Sequence, residues 1–297
     1  MPPKPGIYII KSDGTRELFN REKLERSLRK NGTEKAMIDT IVAKIEANIT
    51  EGDTTKEIYR QAFSMLKKNE RPIALKYSLK RAIADLGPSG FPFERFVSEI
   101  FKAQGYKVLT DQIAIGKCVP HEVDVVAYND TELLMMEAKF HTDFGTRSDL
   151  KVVLYVKARF EDLANGTYKY GGKERKMTKG ILVTNTKFSS TAIQYGECAK
   201  LNMIGWNYPQ EKNLHHMITS LNLVPITVLT SITQSEKKMF LANDIVLSKQ
   251  IGDFGLLKSY GFSDEKAKAV IGEVYDLCKE CVGPEELEKI NKHEPVL

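Results

Sequence analysis

Apolar residues in the first third of the chain follow the spacing of a short hairpin and then of several helices. Residues 7–19 alternate around a turn at 12–14, as a small hairpin does. The helices are expected between Asn20 and Gly32, over 38–49, at about 55–68, and at about 72–85, which Pro72 opens. The run 87–90, made of glycine, proline and serine, then ends this mostly helical segment.

The middle of the chain has the pattern of a mixed sheet with helices on both faces. It begins with a helix that carries Phe93, Phe96 and Ile100 on one side. The elements expected after it are strands at about 106–114, 121–128 and 132–140, a helix at about 148–164, a buried strand at 180–184, another helix, and a short strand near Trp206. The stretch 165–179 is rich in lysine and glycine and predicts a solvated loop. This order of elements is typical of an α/β fold.

The pattern after Pro209 is helical to the end of the chain. Short helices are expected at 233–242, 248–258, 263–280 and 284–291. We therefore expect three domains, over 1–88, 89–210 and 211–297, of which the last is small and helical.

Composition narrows the class of protein without identifying a function. With 42% hydrophobic and 28% charged residues, the chain resembles ordinary globular proteins, and its net charge of +5 is compatible with a polyanionic partner. No apolar run reaches the roughly 20 residues of a membrane span, and the start lacks a secretory signal, so we expect a cytoplasmic protein. Cys278-x-x-Cys281 has no second pair to complete a zinc site, and we expect two ordinary helix cysteines there.

The candidate chemistry lies on the second and third predicted strands. If Asn129 and Asp130 form a two-residue turn, Asp124 lies opposite Met135 and shares a face with Glu137 and Lys139. The opposite face then carries only apolar side chains: Val123, Val125, Ala127, Leu134, Met136, Ala138 and Phe140. Such a pair of strands brings two carboxylates and an ammonium group together beside a buried face.

These residue types suit metal-assisted cleavage of a phosphodiester. Carboxylates such as Asp124 and Glu137 bind Mg²⁺ or Mn²⁺, which polarises the phosphoryl oxygen and activates a bound water. Lys139 can orient that water or neutralise the charge that develops on phosphorus. Glu94, at the rim of the apolar stripe on its helix, is either a further metal ligand or a solvated charge. His141 is either a phosphate or metal contact or a surface histidine.

Two groups of cations are candidate contacts for a nucleic-acid backbone. Lys151, Tyr155 and Arg159 are spaced by four on one helix flank, which is either a phosphate contact or a solvated surface. Further cations lie in the expected loop, namely Lys173, Arg175, Lys176 and Lys179.

Residues 90–208 resemble the Mrr-type restriction endonucleases of the PD-(D/E)xK superfamily. The matching motifs are Phe93-Glu94, Gly105-Tyr106, Val123-Asp124-Val125, Glu137-Ala-Lys139, Leu182-Val-Thr-Asn185, Phe188-Ser189 and Ile204-Gly-Trp206. The resemblance implies Glu94, Asp124, Glu137 and Lys139 as the catalytic set, with Asp124, Glu137 and Glu94 on the metal. Glu137 stands where many of these nucleases carry Gln, and Glu is the more usual metal ligand.

Four motifs stand out in the first segment: 10–14, Phe19-Asn20-Arg-Glu-Lys23, Thr54-Thr55-x-x-Ile58 and Ala74-x-x-Tyr77-x-x-x-Arg81. Through these motifs, residues 7–86 resemble the ATP-cone, a small nucleotide-sensing domain. The resemblance implies Lys11 and Lys23 on the phosphates of ATP or dATP, with Glu17, Asn20 and Thr55 around base and sugar. Ser12 stands where Arg is usual, which removes a bidentate phosphate contact, and Tyr59 stands where His occurs. The alternative is a helical interaction domain whose ligand site has been lost.

Taken together, these features predict a metal-dependent DNA endonuclease of restriction or phage-defence type that an adenine nucleotide regulates. Cutting both strands needs two sites, so a homo-oligomer, a dimer or a tetramer, is expected. Segments 231–251 and 260–267 faintly resemble helix-hairpin-helix modules and are either a DNA contact or a packing element. The alternative functions are a nucleotide-responsive DNA-binding regulator with an inactive nuclease fold and a repair or junction nuclease.

Overall fold

The computed structural model describes residues 6–11, 14–30, 32–69, 73–74, 77–143 and 145–291. Three sequence expectations lie outside this part of the chain: the turn residues Ser12 and Asp13, and Pro72 as the start of a helix. The fold is mixed α/β, as predicted, with a helical region and hairpin first, a five-stranded sheet in the middle and a helical region last.

The N-terminal region consists of a hairpin packed on three helices. Its elements are β1 (Tyr8–Ile10), β2 (Arg16–Leu18), α1 (Arg21–Lys30), α2 (Lys35–Asn48) and α3 (Thr55–Asn69). The two strands pair antiparallel, and the amide of Ile10 donates to the carbonyl of Asp53 at 2.9 Å. The hairpin therefore docks beside the start of α3, and Leu28, Ile41 and Leu66 fill the core beneath it.

Helix α4 (Leu79–Ala84) packs against a different core from the helices that precede it. Leu79, Ile83 and Leu86 belong to the large cluster that also contains the sheet and the C-terminal helices. The hydroxyl of Thr227 donates to the carbonyl of Ala82 at 2.5 Å. The N-terminal region is thus tied to the rest of the chain through α4.

The central sheet has the strand order β11-β9-β5-β4-β3. Its strands are β3 (Lys107–Ile115), β4 (Pro120–Tyr128), β5 (Leu133–Lys139), β9 (Lys179–Thr184) and β11 (Asn202–Ile204). Within this sheet β4 pairs antiparallel with β3 and with β5, and β9 pairs parallel with β5 and with β11. Helix α5 (Phe91–Ala103) packs on one face and α6 (Leu150–Leu163) on the other, which confirms the prediction of helices on both faces.

The predicted register of β4 and β5 is wrong by two residues. Tyr128 pairs with Leu133, not with Thr131, because Asn129 to Glu132 form a four-residue turn. The side chain of Asn129 accepts from the amides of Thr131 at 3.0 Å and Glu132 at 2.9 Å, which stabilises the longer turn. A slip by an even number of residues preserves the face on which each side chain lies. Continued by one pair, this register places Asp124 opposite Glu137.

One predicted face assignment fails, that of Val123. It packs in the cluster under α6, whereas Val125 and Ala127 pack under α5. The change of face coincides with Asp111 on the neighbouring strand, whose φ of 55° interrupts the ladder opposite Asp124. Alternation along β4 is therefore broken at the candidate site.

The stretch 165–179 is not a solvated loop, contrary to expectation. It contains the hairpin β7 (Tyr168–Tyr170) and β8 (Lys173–Arg175). Its tyrosines pack inward, with the ring of Tyr170 5.8 Å from that of Tyr128. Two further short strands, β6 (Arg147–Ser148) and β10 (Lys187–Phe188), pair parallel beside the sheet.

The C-terminal region is helical, with boundaries that differ in part from the prediction. After α7 (Ser190–Cys198) come α8 (Leu214–Ser220), α9 (Gln234–Ala242), α10 (Phe254–Ser259), α11 (Asp264–Leu277) and α12 (Pro284–Asn291). The helix expected at 248–258 is divided, because Asp253 accepts from the amide of Leu256 at 2.5 Å and starts a new helix.

The expectation of two ordinary helix cysteines is wrong. Helix α11 ends at Leu277, and a short 3₁₀ turn over 279–281 follows it. This turn brings the Cα atoms of Cys278 and Cys281 to 5.2 Å, and a disulfide joins them. Among the described residues, no helix is both long and apolar enough to cross a membrane.

Candidate functional site

Three of the predicted catalytic residues meet where the middle of β4 lies beside the end of β5. The amide of Ala138 donates to the carboxylate of Asp124 at 2.6 Å, which fixes that side chain against the neighbouring strand. The ammonium group of Lys139 lies 2.5 Å from one oxygen of Glu137. The side chain of Glu137 is 3% exposed and that of Lys139 is 34% exposed, so a buried carboxylate meets a partly exposed ammonium group here.

Arg159, from helix α6, completes the surroundings of Glu137. Its guanidinium forms an ion pair with the second oxygen of Glu137 and donates to the carbonyl of Glu122 at 3.0 Å. It also donates to the hydroxyl of Tyr155 at 2.6 Å and lies 4.9 Å from the centre of that ring. Arg159 therefore faces the carboxylates, while Lys151 and Tyr155 remain exposed on the helix flank.

The role of Arg159 beside Glu137 was missed in the sequence, although a signal for it exists. Position 159 is three residues after Val156 and four before Leu163, both of which are buried on the inner face of α6. A cation on an apolar stripe needs a buried acid as partner. That reasoning predicts a carboxylate on the sheet face that α6 covers, and Glu137 is that carboxylate.

Burial and neighbouring negative charge raise the pKa of two carboxylates of the site, Asp124 and Glu94. Burial, followed by the negative charge of Glu137, raises the pKa of Asp124 to about 6. Burial also raises the pKa of Glu94 to about 7, and the charge of Asp124 is the next largest cause. Glu94, on α5, is half-buried and lies close enough to sense these acids. The four predicted catalytic residues thus share one electrostatic environment, in which a bound cation would be favoured.

The residues present fit a divalent cation by their chemistry. Within the described chain, no group of three or more histidine, cysteine, aspartate or glutamate side chains is assembled as a metal cage. Mg²⁺ keeps several waters and needs only one or two protein carboxylates, which Asp124 and Glu137 provide. Both oxygens of Glu137 contact cationic side chains, so a metal would compete with Lys139 and Arg159 for this carboxylate.

His141 is held in place beyond the end of β5. Its amide donates to the side-chain oxygen of Asn185 at 2.8 Å, and the amide group of Asn185 donates to the carbonyl of His141 at 2.7 Å. Its Nε2 lies 3.2 Å from the hydroxyl of Ser148, which is fully buried. Burial, and then the charge of Lys139, lower the pKa of His141. The histidine is half-buried and its backbone is anchored by Asn185, a contact that the sequence did not predict.

Two of the four cations of the expected loop, Arg175 and Lys179, have partners inside the protein. Arg175 lies 5.1 Å from the centre of the Tyr128 ring and donates to the carbonyl of Asn129. Lys179 pairs with Glu132 at 2.7 Å. These two side chains are therefore structural, which leaves a smaller basic surface here than the sequence indicated.

The predicted nucleotide residues lie around one end of the N-terminal hairpin. Lys11 and Lys23 each form an ion pair of 2.5 Å with Glu17. These lysines, in that order, lower the pKa of Glu17. Asn20 accepts from the amide of Lys23 at 2.9 Å, so its side chain stabilises the first turn of α1. Lys11, Lys23 and Thr55 line an open cavity, whose lining does not include Glu17 or Asn20.

Family comparisons match three consecutive parts of the chain. Residues 7–86 match the ATP cone domain, residues 87–208 match a restriction endonuclease catalytic domain, and residues 225–278 match the C-terminal region of AF1548-like proteins. The two predicted resemblances are confirmed. The third match was not foreseen in the sequence. Together the matches support a nuclease with nucleotide regulation as the general class.

Two comparisons with single proteins each cover about three fifths of the chain. An uncharacterized protein of Archaeoglobus fulgidus is 32% identical over 179 residues, which are 60% of this chain and 97% of that protein. The crystal structure of AF1548, a protein of unknown function, is 30% identical with a TM-score of 0.52, and covers 64% of this chain and 98% of its own.

Proposed function

Because this chain belongs to the family of AF1548-like proteins and joins an ATP-cone to a restriction endonuclease domain, we propose that it is a metal-dependent DNA endonuclease of restriction or defence type, controlled by an adenine nucleotide. The observation that supports this most is the meeting of Asp124, Glu137 and Lys139 on adjacent strands, with a raised pKa at Asp124. In this proposal residues 1–88 bind the nucleotide, residues 89–210 cleave the DNA, and residues 211–297 form a helical domain that supports them.

The residues of the site divide the work of cleavage among them. Asp124 and Glu137, together with Glu94, would hold a divalent cation, which when bound would polarise a phosphoryl oxygen and lower the pKa of a coordinated water. Lys139 orients the attacking water or neutralises charge on the phosphoryl group from beside Glu137. Arg159 fixes the orientation of the Glu137 carboxylate from the helix side.

A plasmid cleavage assay tests this function directly. The purified protein is incubated with supercoiled plasmid and Mg²⁺ or Mn²⁺, with and without ATP, beside Asp124→Asn and Glu137→Gln. We expect both variants to lose at least roughly a hundredfold in rate, since each removes a carboxylate at the reacting centre. Glu174→Gln is the matched control, because this exposed carboxylate lies on the β7–β8 hairpin and should leave cleavage unchanged. Equal nicking by wild type and Glu137→Gln would identify a contaminating nuclease.

The ion pairs of Glu137 favour one second candidate, a nucleotide-responsive DNA-binding regulator without cleavage. In that protein Lys139 and Arg159 would keep both Glu137 oxygens permanently. Calorimetric titration with Mn²⁺ separates the two functions. The nuclease binds the ion and loses that binding in Asp124→Asn, whereas the regulator shows no heat in either form.

Nucleotide control in this proposal acts through assembly. A single site cuts one strand, so two copies are needed for both, and a nucleotide shifts such an equilibrium only if its affinity differs between the states. Light scattering of the full chain with and without ATP or dATP measures this shift. An unchanged mass together with unchanged cutting would remove nucleotide control from the proposal and leave the cleavage chemistry in place.

A further inference from the structure

An open cavity of about 1040 Å³ lies between the N-terminal region and the restriction endonuclease domain. Pockets for drug-sized ligands have volumes of roughly 300–1,000 Å³, so this space accommodates a nucleoside triphosphate. One wall comes from the hairpin and helices α1, α3 and α4. The opposite wall comes from the segment after β5, from β10 and from the turn before α8. Both domains therefore face the same space.

The lining of this cavity is basic, and most of its cations lie on the N-terminal side. The N-terminal wall contributes six cations, namely Lys11, Lys23, Arg26, Lys56, Lys80 and Arg81. The nuclease wall contributes Lys187, and the acidic lining residues are Asp85 and Asp143. Seven cations against two carboxylates give a space that favours a polyanion over a neutral ligand.

Lys80 and Lys187 line opposite walls of the cavity and are close enough for their charges to interact. Burial lowers the pKa of Lys80 to about 8, and the charge of Lys187 is the second cause. Two ammonium groups that repel each other in a partly desolvated space gain stability when an anion is placed between them. Lys187 belongs to the nuclease domain, on β10, and thus marks the place where that domain would touch a phosphate.

The cavity also has aromatic surfaces at both ends. Tyr59 and Tyr77 stack with ring centres 5.2 Å apart on the N-terminal side. Trp206 and His215 meet edge to face on the nuclease side, with ring centres 5.3 Å apart. All four line the cavity, which provides flat apolar surface beside the cations, as a nucleoside attached to phosphates requires.

The nuclease wall of the cavity is continuous with the catalytic strand. Thr142 and Asp143 line it only a few residues after Lys139. Gly87, just after α4, is packed so closely that an added Cβ would lie 2.5 Å from the ring of Phe140. A ligand that draws α4 and the nuclease wall together therefore acts on the segment that follows Lys139.

We propose that Lys187 of the nuclease domain contacts the phosphates of the nucleotide bound by the N-terminal region, so that one nucleotide is held by both domains. This assignment rests on the proposed nucleotide binding and extends it from one domain to the junction of two. The nuclease then responds to the ligand by direct contact, and the affinity for ATP depends on residues at both walls.

Fluorescence titration of the full chain with a labelled ATP analogue, confirmed with unlabelled ATP, tests the assignment. Lys187→Ala should weaken binding about tenfold, since a charge-assisted hydrogen bond contributes roughly 1.4 kcal/mol or more. Lys187→Glu should weaken it further, and Lys187→Arg should stay within about threefold of wild type. The affinity for ATP then falls in the order of the charge at position 187. A variant that simply unfolds would lose affinity whatever its charge. Lys169→Glu is the matched control, because Lys169 is an exposed lysine of the same domain outside the cavity lining.

The remaining outcomes separate failure of this inference from failure of the proposed function. If Lys23→Ala weakens ATP binding and Lys187→Glu does not, the site is confined to the N-terminal region and the inference falls. If Lys187→Glu weakens binding of a short DNA duplex and leaves ATP unchanged, Lys187 belongs to the DNA surface, which overturns it as well. If wild type binds no ATP, nucleotide control falls together with this inference, and the cleavage assay still decides the nuclease.

Discussion

Glu17 in the N-terminal region and Glu137 in the sheet each hold two cationic side chains, yet they differ in burial. The side chain of Glu17 is 26% exposed and binds Lys11 and Lys23, whereas that of Glu137 is 3% exposed and binds Lys139 and Arg159. Exposed ion pairs are weak because water and salt screen them, while a buried charge that loses its partner is costly. The lysines beside Glu17 can therefore exchange this acid for a phosphate, whereas the cations beside Glu137 are part of the fold.

The largest expected effect in this comparison is on stability after Glu137→Gln. Removing the carboxylate leaves Lys139 and Arg159 near a buried, neutral side chain, and breaking a buried pair costs about 3–5 kcal/mol. The same change at Glu17 breaks only exposed pairs and should cost about 1 kcal/mol or less. Urea unfolding followed by near-ultraviolet circular dichroism measures both. Equal shifts in the unfolding midpoint would contradict the distinction between the two sites.

This difference was only partly visible in the sequence. Alternation along β5 predicted that Glu137 and Lys139 share a face, and a register error of two residues leaves that face unchanged. Asp124 meets them through its contact with the amide of Ala138, at a point where the alternation of β4 is broken. The partner of Arg159 was missed, since it depends on which sheet face α6 covers, and that is set by tertiary packing.

Other features of the structure differ from the sequence-based predictions for equally local reasons. The lysines of 165–179 indicate a loop in the sequence, because they outnumber the tyrosines that pack inward in the hairpin. The Cys278–Cys281 disulfide depends on where α11 ends, and the ends of helices are the least predictable part of an element. The cavity between the two domains is a property of their docking, which no periodicity within either domain reports.

A second prediction distinguishes the two interpretations of Arg159. If it orients Glu137, Arg159→Leu should lower the cleavage rate about tenfold to a hundredfold while DNA affinity and its salt dependence stay as in wild type. If it contacted a phosphate, the slope of log affinity against log salt would fall by about 1. DNA binding at several salt concentrations, with Lys151→Ala as an exposed cation on the same helix flank for comparison, measures the slope. A reduced slope in Arg159→Leu would return this residue to the DNA surface.

A third prediction uses pH to contrast Glu94 with Glu17. The pKa of Glu94 is raised to about 7 in the folded protein, mainly by burial and then by Asp124, so its protonated form favours folding. That contribution is present below its ordinary pKa of about 4.5 and is lost as pH rises through about 7. The pKa of Glu17 is lowered, so its contribution is present at neutral pH and is lost on acidification.

Thermal unfolding in EDTA at pH 5 and pH 8 measures these opposite trends. Glu94→Gln should raise the midpoint of thermal unfolding at pH 8 by roughly 2–4 °C, which corresponds to about 1 kcal/mol in a chain of this size. At pH 5 the substitution should leave the midpoint almost unchanged. Adding Mn²⁺ at pH 8 should stabilise wild type more than the variant. A midpoint that Glu94→Gln lowers at pH 8 would show that the charged form of Glu94 supports the fold.

The smallest expected effect concerns ATP affinity after Glu17→Gln. The family resemblance implies Glu17 beside the base or sugar, where losing its charge would weaken binding. The structure instead has Glu17 holding both predicted phosphate ligands, Lys11 and Lys23, outside the cavity lining. ATP must then displace this carboxylate, so Glu17→Gln should tighten binding about threefold, by less than 1 kcal/mol.

Calorimetric titration with ATP at two salt concentrations measures this change in affinity. Glu51→Gln is the control, because Glu51 pairs with Arg16, which lies elsewhere on the same hairpin. Weaker binding in Glu17→Gln alone would place Glu17 on the nucleotide.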